Sequence, residues 1–223
     1  MGVTRQRLTG RVKDQGDRPT CVAFAVSSLH EYWRDVSARQ QGAILLDLSE
    51  EFLYYGCKQR DGLVGIPGTT IDAASGWLKV SGQCLEKLHP YQVSNGLLQK
   101  PSAAAFSDAR SKTLSTLVRR DLKWETLKRD LSGEVPVVGV IDLFDSAYRV
   151  DKKGMLTLPI APEKKIGLHA VLLLEIESAP SGDRIIFLNS WGQKWGEGGI
   201  GRLEKEYFTK YCRQLWTIER RKS

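Results

Sequence analysis

The sequence predicts an α+β protein in which helices come first and strands second. Up to about residue 131 apolar residues recur at three- and four-residue intervals, the period of an amphipathic helix. Beyond that point they collect into short β-branched or apolar runs bounded by Gly, Pro, Ser and Asp, which read as strands. The two kinds of segment do not alternate, so a parallel sheet built from βαβ units is not expected.

The first helix is expected to open at Cys21, behind Pro19 and the N-cap candidate Thr20, because Val22, Ala25, Val26, Leu29, Trp33 and Val36 share one face. A second starts at Ser49, where Glu50 and Glu51 suit the positive end of the helix dipole, and runs through Phe52, Leu53 and Tyr55. The third covers Thr70 to Val80, with Gly82 just past its end. From about Gln92 to Arg120 periodicity is weak, and this stretch is taken as a connection. A short helix, Lys123 to Leu131, stops at Ser132-Gly133. The expected strands are Val135 to Ile141, His169 to Ile176, Ile185 to Leu188, Ile200 to Leu203 and Leu215 to Ile218.

Composition narrows the classes. With 223 residues, 41% hydrophobic and 26% charged, the chain is of ordinary globular make-up, which excludes collagenous and low-complexity proteins. The longest apolar run, Ala170 to Leu174, is far short of the roughly 18 residues that span a bilayer. Met1 to Val12 carries Arg5, Arg7 and Arg11 without an apolar core, so no secretory signal is expected there. The net charge of +7 is spread over short, separated clusters such as Lys152-Lys153, Lys164-Lys165 and Arg220 to Lys222. That is a solvated surface and not a nucleic-acid face. The four cysteines, Cys21, Cys57, Cys84 and Cys212, form no CxxC pair, which argues against zinc and suits reduced thiols in a cytoplasmic setting.

Chemistry concentrates in three segments. Cys21 stands in the first turn of its helix, where backbone N–H groups favour thiolate, and Gln15 precedes it by six residues. A helical cysteine by itself is usually inert packing. Its company is Gly167-Leu168-His169-Ala170-Val171 and Leu188-Asn189-Ser190-Trp191-Gly192, with His169 about 150 residues after the cysteine. His30 lies on the cysteine's own helix, too far along the axis to serve it, and is expected to be a surface or partly buried residue. His89 precedes Pro90 in a turn. The run Gly196 to Gly201 matches GxGxxG literally but has no βαβ unit around it, and is read as a turn between strands.

These segments, with Leu48 to Tyr55 and Gly68 to Ala74, resemble the papain family of cysteine peptidases, in its bacterial branch, over about residues 11 to 208. The resemblance implies a single two-lobed domain over 1–223, with a helical lobe at about 12–100, an antiparallel β lobe at about 101–223 and the active site in the cleft between. It implies peptide-bond hydrolysis by an endopeptidase rather than an exopeptidase, with Cys21 as nucleophile, His169 as acid and base, Asn189 as its orienting partner and Gln15 as oxyanion donor. Gly68 and Leu168 would pair with substrate backbone, Trp191 would shield the His–Asn bond, and Trp195 would be its neighbour on the far side of the cleft. No metal or cofactor is implied. The implied partners are a protein or peptide substrate and a proteinaceous inhibitor or immunity protein, for a monomer without nucleic acid or membrane. Alternatives are an acyl-transferring enzyme and a non-catalytic peptide-binding module on the same fold.

Three departures stand out. Secreted members carry a cysteine three residues before the nucleophile and a tryptophan after it, where this chain has Arg18 and Val22. Both are expected beside the substrate cleft. Without that partner cysteine no disulfide is expected, and no pro-segment is recognised. A cytosolic protease and an effector or toxin domain delivered into another cell both fit such a chain.

Overall fold

In the computed structural model the described residues are 12–38, 46–93, 98–115, 117–180 and 182–218. Arg5, Arg7, Arg11 and Arg220 to Lys222 therefore lie outside them. The chain forms two compact units: one comprises Gln15–Val118 with Ile218, the other residues 12–14 with Arg119–Thr217.

The first unit is helical. Helix α1 (Cys21–Ala38) takes its first main-chain bond from Phe24 N–H to the Thr20 carbonyl at 3.2 Å. Helices α2 (Glu50–Lys58) and α3 (Ile71–Val80) are capped by Ser49 and Thr70, whose hydroxyls accept from the N–H of Phe52 and Ala73. A fourth helix, α4 (Ala103–Ala109), falls inside the expected connection. It belongs here because Phe106 packs edge-on against Phe52 at 5.3 Å and Asp108 accepts from Leu85 N–H at 2.9 Å. Gly82 makes that approach feasible: a Cβ there would stand 2.0 Å from the Ala109 carbonyl oxygen. The boundary between units accordingly falls at Val118/Arg119 and not near residue 100.

The second unit is built on a sheet. Its strands are β2 (Val137–Phe144), β3 (Met155–Leu156), β4 (Lys165–Ala179), β5 (Gly182–Leu188), β6 (Ile200–Glu204) and β7 (Cys212–Ile218); β1 (Leu117–Arg120) lies beside β7 where the chain enters this unit. The order is β1-β7-β2-β4-β5-β6-β3. Pairs β2/β4, β2/β7, β4/β5 and β5/β6 are antiparallel, and the two-residue β3 pairs with β6 in parallel. All eight residues of β2 are buried, as suits a central strand covered on both faces. Helices α5 (Trp124–Ser132) and α6 (Lys205–Tyr211) supply Leu127, Leu131, Tyr207 and Phe208 to its core. Each fully buried Leu or Phe side chain of this kind stabilises by about 1.5–3 kcal/mol. Register places His169 opposite Ile141, so the β2/β4 pair carries a site candidate. No helix among the described residues is long and apolar enough to cross a membrane.

His30 departs from expectation: it is fully buried, because α1 is covered where Gln83 and Ser49 pack. Gln83 donates from Nε2 to Ser27 Oγ and to the Ser49 carbonyl, leaving Oε1 to accept from His30 Nδ1 at 3.0 Å. His30 Nε2 meets no partner. Burial drives this imidazole down to about 4, against a partial offset from the Gln83 bond. The unfolded chain then binds a proton near pH 6.5 that the folded chain refuses, so stability present above 6.5 is lost as pH falls towards 4. The expected contribution at pH 5 is a loss of about 2 kcal/mol. Urea unfolding at pH 7.5 and pH 5 checks this: His30→Gln, which keeps a donor for Gln83 but cannot titrate, should lose less stability than wild type, and an equal loss in both would contradict it.

Candidate active site

In the helical unit the loop from Gln15 to Thr20 leads directly into α1. Gln15 is buried, and its Nε2 donates to the Arg18 carbonyl at 2.7 Å; the Thr20 N–H donates to the same oxygen at 2.8 Å. This folds the loop tightly, bringing the Gln15 amide and the start of α1 onto one turn. Cys21 is the first helical residue, half-buried and in no disulfide. The positive end of an 18-residue helix favours negative charge on its sulfur. Arg18 and Val22 are both buried, so neither offers an exposed side chain at this loop.

The other three cysteines are buried thiols. Burial pushes Cys57, Cys84 and Cys212 each up to about 12, so none ionises near neutrality.

Gly68 ends a loop that follows α2. Its φ of +86° lies in the left-handed region, where a side chain would be strained. Lys58 gathers this loop: its ammonium donates to the carbonyls of Leu63, Ile66 and Gly68 at 2.9, 3.0 and 3.2 Å and pairs with Asp61 at 2.9 Å. Asp61 in turn accepts from Leu63 N–H and Thr69 Oγ1. Burial works against the Asp61 carboxylate, but the bonds from Lys58, Leu63 and Thr69 outweigh it and hold its pKa low.

In the sheet unit, His169 on β4 is buried with its Nε2 2.7 Å from Asn189 Oδ1. Asn189 Oδ1 also accepts from the Ser190 N–H at 2.9 Å. A main-chain N–H can only donate, so that atom is the amide oxygen, and His169 Nε2 must carry the proton. The neutral ring therefore keeps its lone pair on Nδ1. Burial pulls His169 down to about 4, partly offset by the Asn189 bond. Trp191 lies over the imidazole at 4.7 Å and 31°, shielding the His–Asn bond. Asp14 bridges to Trp191 and the Gly192 N–H donates to the Lys13 carbonyl at 3.1 Å, tying down the turn that carries the indole.

Trp195 is a neighbour of Trp191, as expected. It belongs to the same unit as Trp191 and meets it edge-on at 5.5 Å, anchored by Nε1–H to the Ala147 carbonyl at 2.9 Å. Tyr148, which nothing in the sequence singled out, stacks on Trp191 at 4.9 Å and 20°. Leu168, one residue before His169, is 55% exposed, so its side chain remains open to a ligand. Gly196, Gly198 and Gly199 form a positive-φ turn before β6, as expected for the run Gly196 to Gly201.

A family model described as "Papain family cysteine protease" matches residues 4–215. The chain belongs to the papain family of cysteine proteases. It is 29% identical to cysteine proteinase COT44 of Brassica napus over 201 residues, which are 89% of this chain and 57% of that protein. It is 27% identical to cathepsin L of Sarcophaga peregrina over 208 residues, 89% of this chain and 56% of that one. The chain thus spans a little over half the length of these curated relatives. Among solved structures, xylellain, a cysteine protease from Xylella fastidiosa, shares the fold with a TM-score of 0.82 at 24% identity, covering 95% of this chain and 83% of the other.

Within a papain-family chain, the contrast among the four thiols has a direct consequence. Brief alkylation with iodoacetamide near neutral pH, followed by peptide mapping, should modify Cys21 well before Cys57, Cys84 and Cys212. Comparable modification of all four would contradict the separation drawn here between one accessible thiol at a helix start and three buried, protonated ones.

Proposed function

We propose that this chain is a cysteine peptidase that hydrolyses internal peptide bonds through a thioester on Cys21. The observation that carries the reading is the His169–Asn189 pair, whose tautomer presents Nδ1 as a proton acceptor. A buried imidazole held with one basic nitrogen, in a chain whose single half-buried cysteine starts a helix, is the equipment of a thiol nucleophile and its base.

In this reading His169 Nδ1 takes the thiol proton. Burial disfavours the imidazolium, so the proton settles there only where thiolate charge offsets that cost. The sulfur attacks the scissile carbonyl carbon, and the resulting oxyanion takes hydrogen bonds from the Gln15 amide and the Cys21 main-chain N–H. His169 then gives its proton to the leaving amine as the C–N bond breaks. A water, deprotonated by His169, attacks the thioester and releases the acid and the Cys21 thiol. Gly68, held by Lys58, and Leu168 are the positions offered to the substrate backbone.

Family membership supports a protein or peptide substrate. The reading extends to a monomer working in a cytoplasm, its own or that of a target cell, restrained by a proteinaceous inhibitor or immunity protein. It also places the chain in the bacterial branch, as a housekeeping protease or a delivered effector; the sequence blocks around Ser49 and Gly68 are its support.

Active-site variants assayed on a peptide library test the reading. Cys21→Ala and His169→Ala should each reduce turnover to near background, with the double variant little worse, since the two act as one unit. Asn189→Ala should keep measurable activity and cost about 1–3 kcal/mol of stability, because the buried Nε2–H loses its acceptor. Gln15→Ala should lower kcat by roughly 10²- to 10³-fold with little change in KM. Full activity of His169→Ala would overturn the assignment, and an increase in product on adding an amine would favour acyl transfer over hydrolysis.

A further inference from the structure

We propose that Arg18 is a positioning residue for oxyanion binding, acting through Gln15, with Glu51 as the anchor that holds it. The proposal rests on the peptidase reading above and adds a residue to it.

Arg18 is 5% exposed and its guanidinium is occupied from several sides. Nη1 donates to Glu51 Oε2 at 2.5 Å and to the Gln92 carbonyl, and Nη2 donates to Glu51 Oε1 at 3.0 Å. Its carbon lies 4.8 Å from the ring centre of Tyr91 and 5.5 Å from that of Tyr54. Burial alone would discourage the charge, but the bonds to Glu51 and its carboxylate more than compensate, and the guanidinium stays protonated. A planar fork bonded to both oxygens of a buried carboxylate has little freedom to rotate.

What this fixes is the arginine's own main chain. The Arg18 carbonyl is the acceptor for Gln15 Nε2 at 2.7 Å and for the Thr20 N–H at 2.8 Å. It therefore sets both the direction of the Gln15 amide and the entry of the chain into α1, where the Cys21 N–H is the other donor. Tyr91, which stacks on the guanidinium, closes the same knot: its hydroxyl donates to the Gln15 carbonyl at 2.9 Å and lies 2.7 Å from Thr20 Oγ1. Two oxyanion donors are thus referred to one buried ion pair on α2. At the position where the resemblance puts a disulfide-forming cysteine in secreted members, this chain holds its catalytic loop by a bidentate charge pair. An ion pair of this kind adds specificity of geometry more than net stability.

A double-mutant cycle tests it, using Arg18→Lys, Gln15→Ala and the combination, with kcat and KM on a fluorogenic peptide and thermal unfolding of each variant. Lysine keeps the charge but cannot bond both Glu51 oxygens in a plane. The expected result is a fall in kcat of about 10- to 10²-fold for Arg18→Lys with KM within about twofold, and a double variant no slower than Gln15→Ala alone. If Arg18→Lys does not fold, Glu51→Gln replaces it and should show the same non-additivity with Gln15→Ala. Losses that multiply in the double variant, or a lowered melting temperature with wild-type kcat, would make Arg18 a purely structural residue and overturn the proposal. A wild-type chain that turns over no peptide would instead remove the peptidase reading, and this proposal with it.

Discussion

The hydrogen bond from His169 Nε2 to Asn189 Oδ1 is the interaction on which the chemistry of the sheet unit depends. By accepting simultaneously from Ser190 N–H, Asn189 has no freedom to present its amide nitrogen, and the histidine has no choice of tautomer. Much of the unit serves to keep that bond in place and dry. β4 sets His169 opposite Ile141 on the fully buried β2, Trp191 covers the ring, and Trp195 meets Trp191 at right angles while Tyr148 stacks on it. The same burial lowers the imidazole's affinity for protons, so the ring rests neutral as a base should.

The helical unit solves a different problem, which is to hold two loops in defined shapes without a disulfide. It does so twice with paired cations, one buried and one half-buried. Arg18, paired to Glu51, gathers the carbonyl and amide groups of the loop before α1; Lys58, paired to Asp61, gathers three carbonyls of the loop that ends at Gly68. Both acids sit in or just after α2, so a single helix anchors the loop before Cys21 and the glycine loop alike. Charge pairs of this sort demand that every donor find an acceptor, which is what gives such loops one geometry.

Residues whose chemistry demands a particular type were the easiest to read from the sequence. Cys21, His169, Asn189 and Gln15 stand out because the thiol catalysis proposed for them accepts few substitutes, and the caps Ser49 and Thr70 because a helix start needs an oxygen. The expected strands are all present, though β4 and β7 extend beyond their apolar cores into polar residues, and β2 runs on through Asp142 to the buried Leu143 and Phe144. Other features depended on partners distant in sequence. Helix α4 has too short a period to announce itself and is recognised only through Phe106 on Phe52. The burial of His30 and of Arg18 is decided by Gln83 and Glu51, each more than thirty residues away. Tyr148 carries no signal at all until it is seen against Trp191.

Nitrogen-15 NMR of the His169 ring in Cys21→Ala measures the central claim most directly, because without the thiol the ring reports only its own surroundings. The shifts should show a neutral imidazole with its proton on Nε2 and a bare Nδ1 at pH 7, persisting well below pH 6.5. A proton on Nδ1 with a bare Nε2, or a doubly protonated ring at pH 7, would contradict the assignment of Asn189 as acceptor and of His169 as the base.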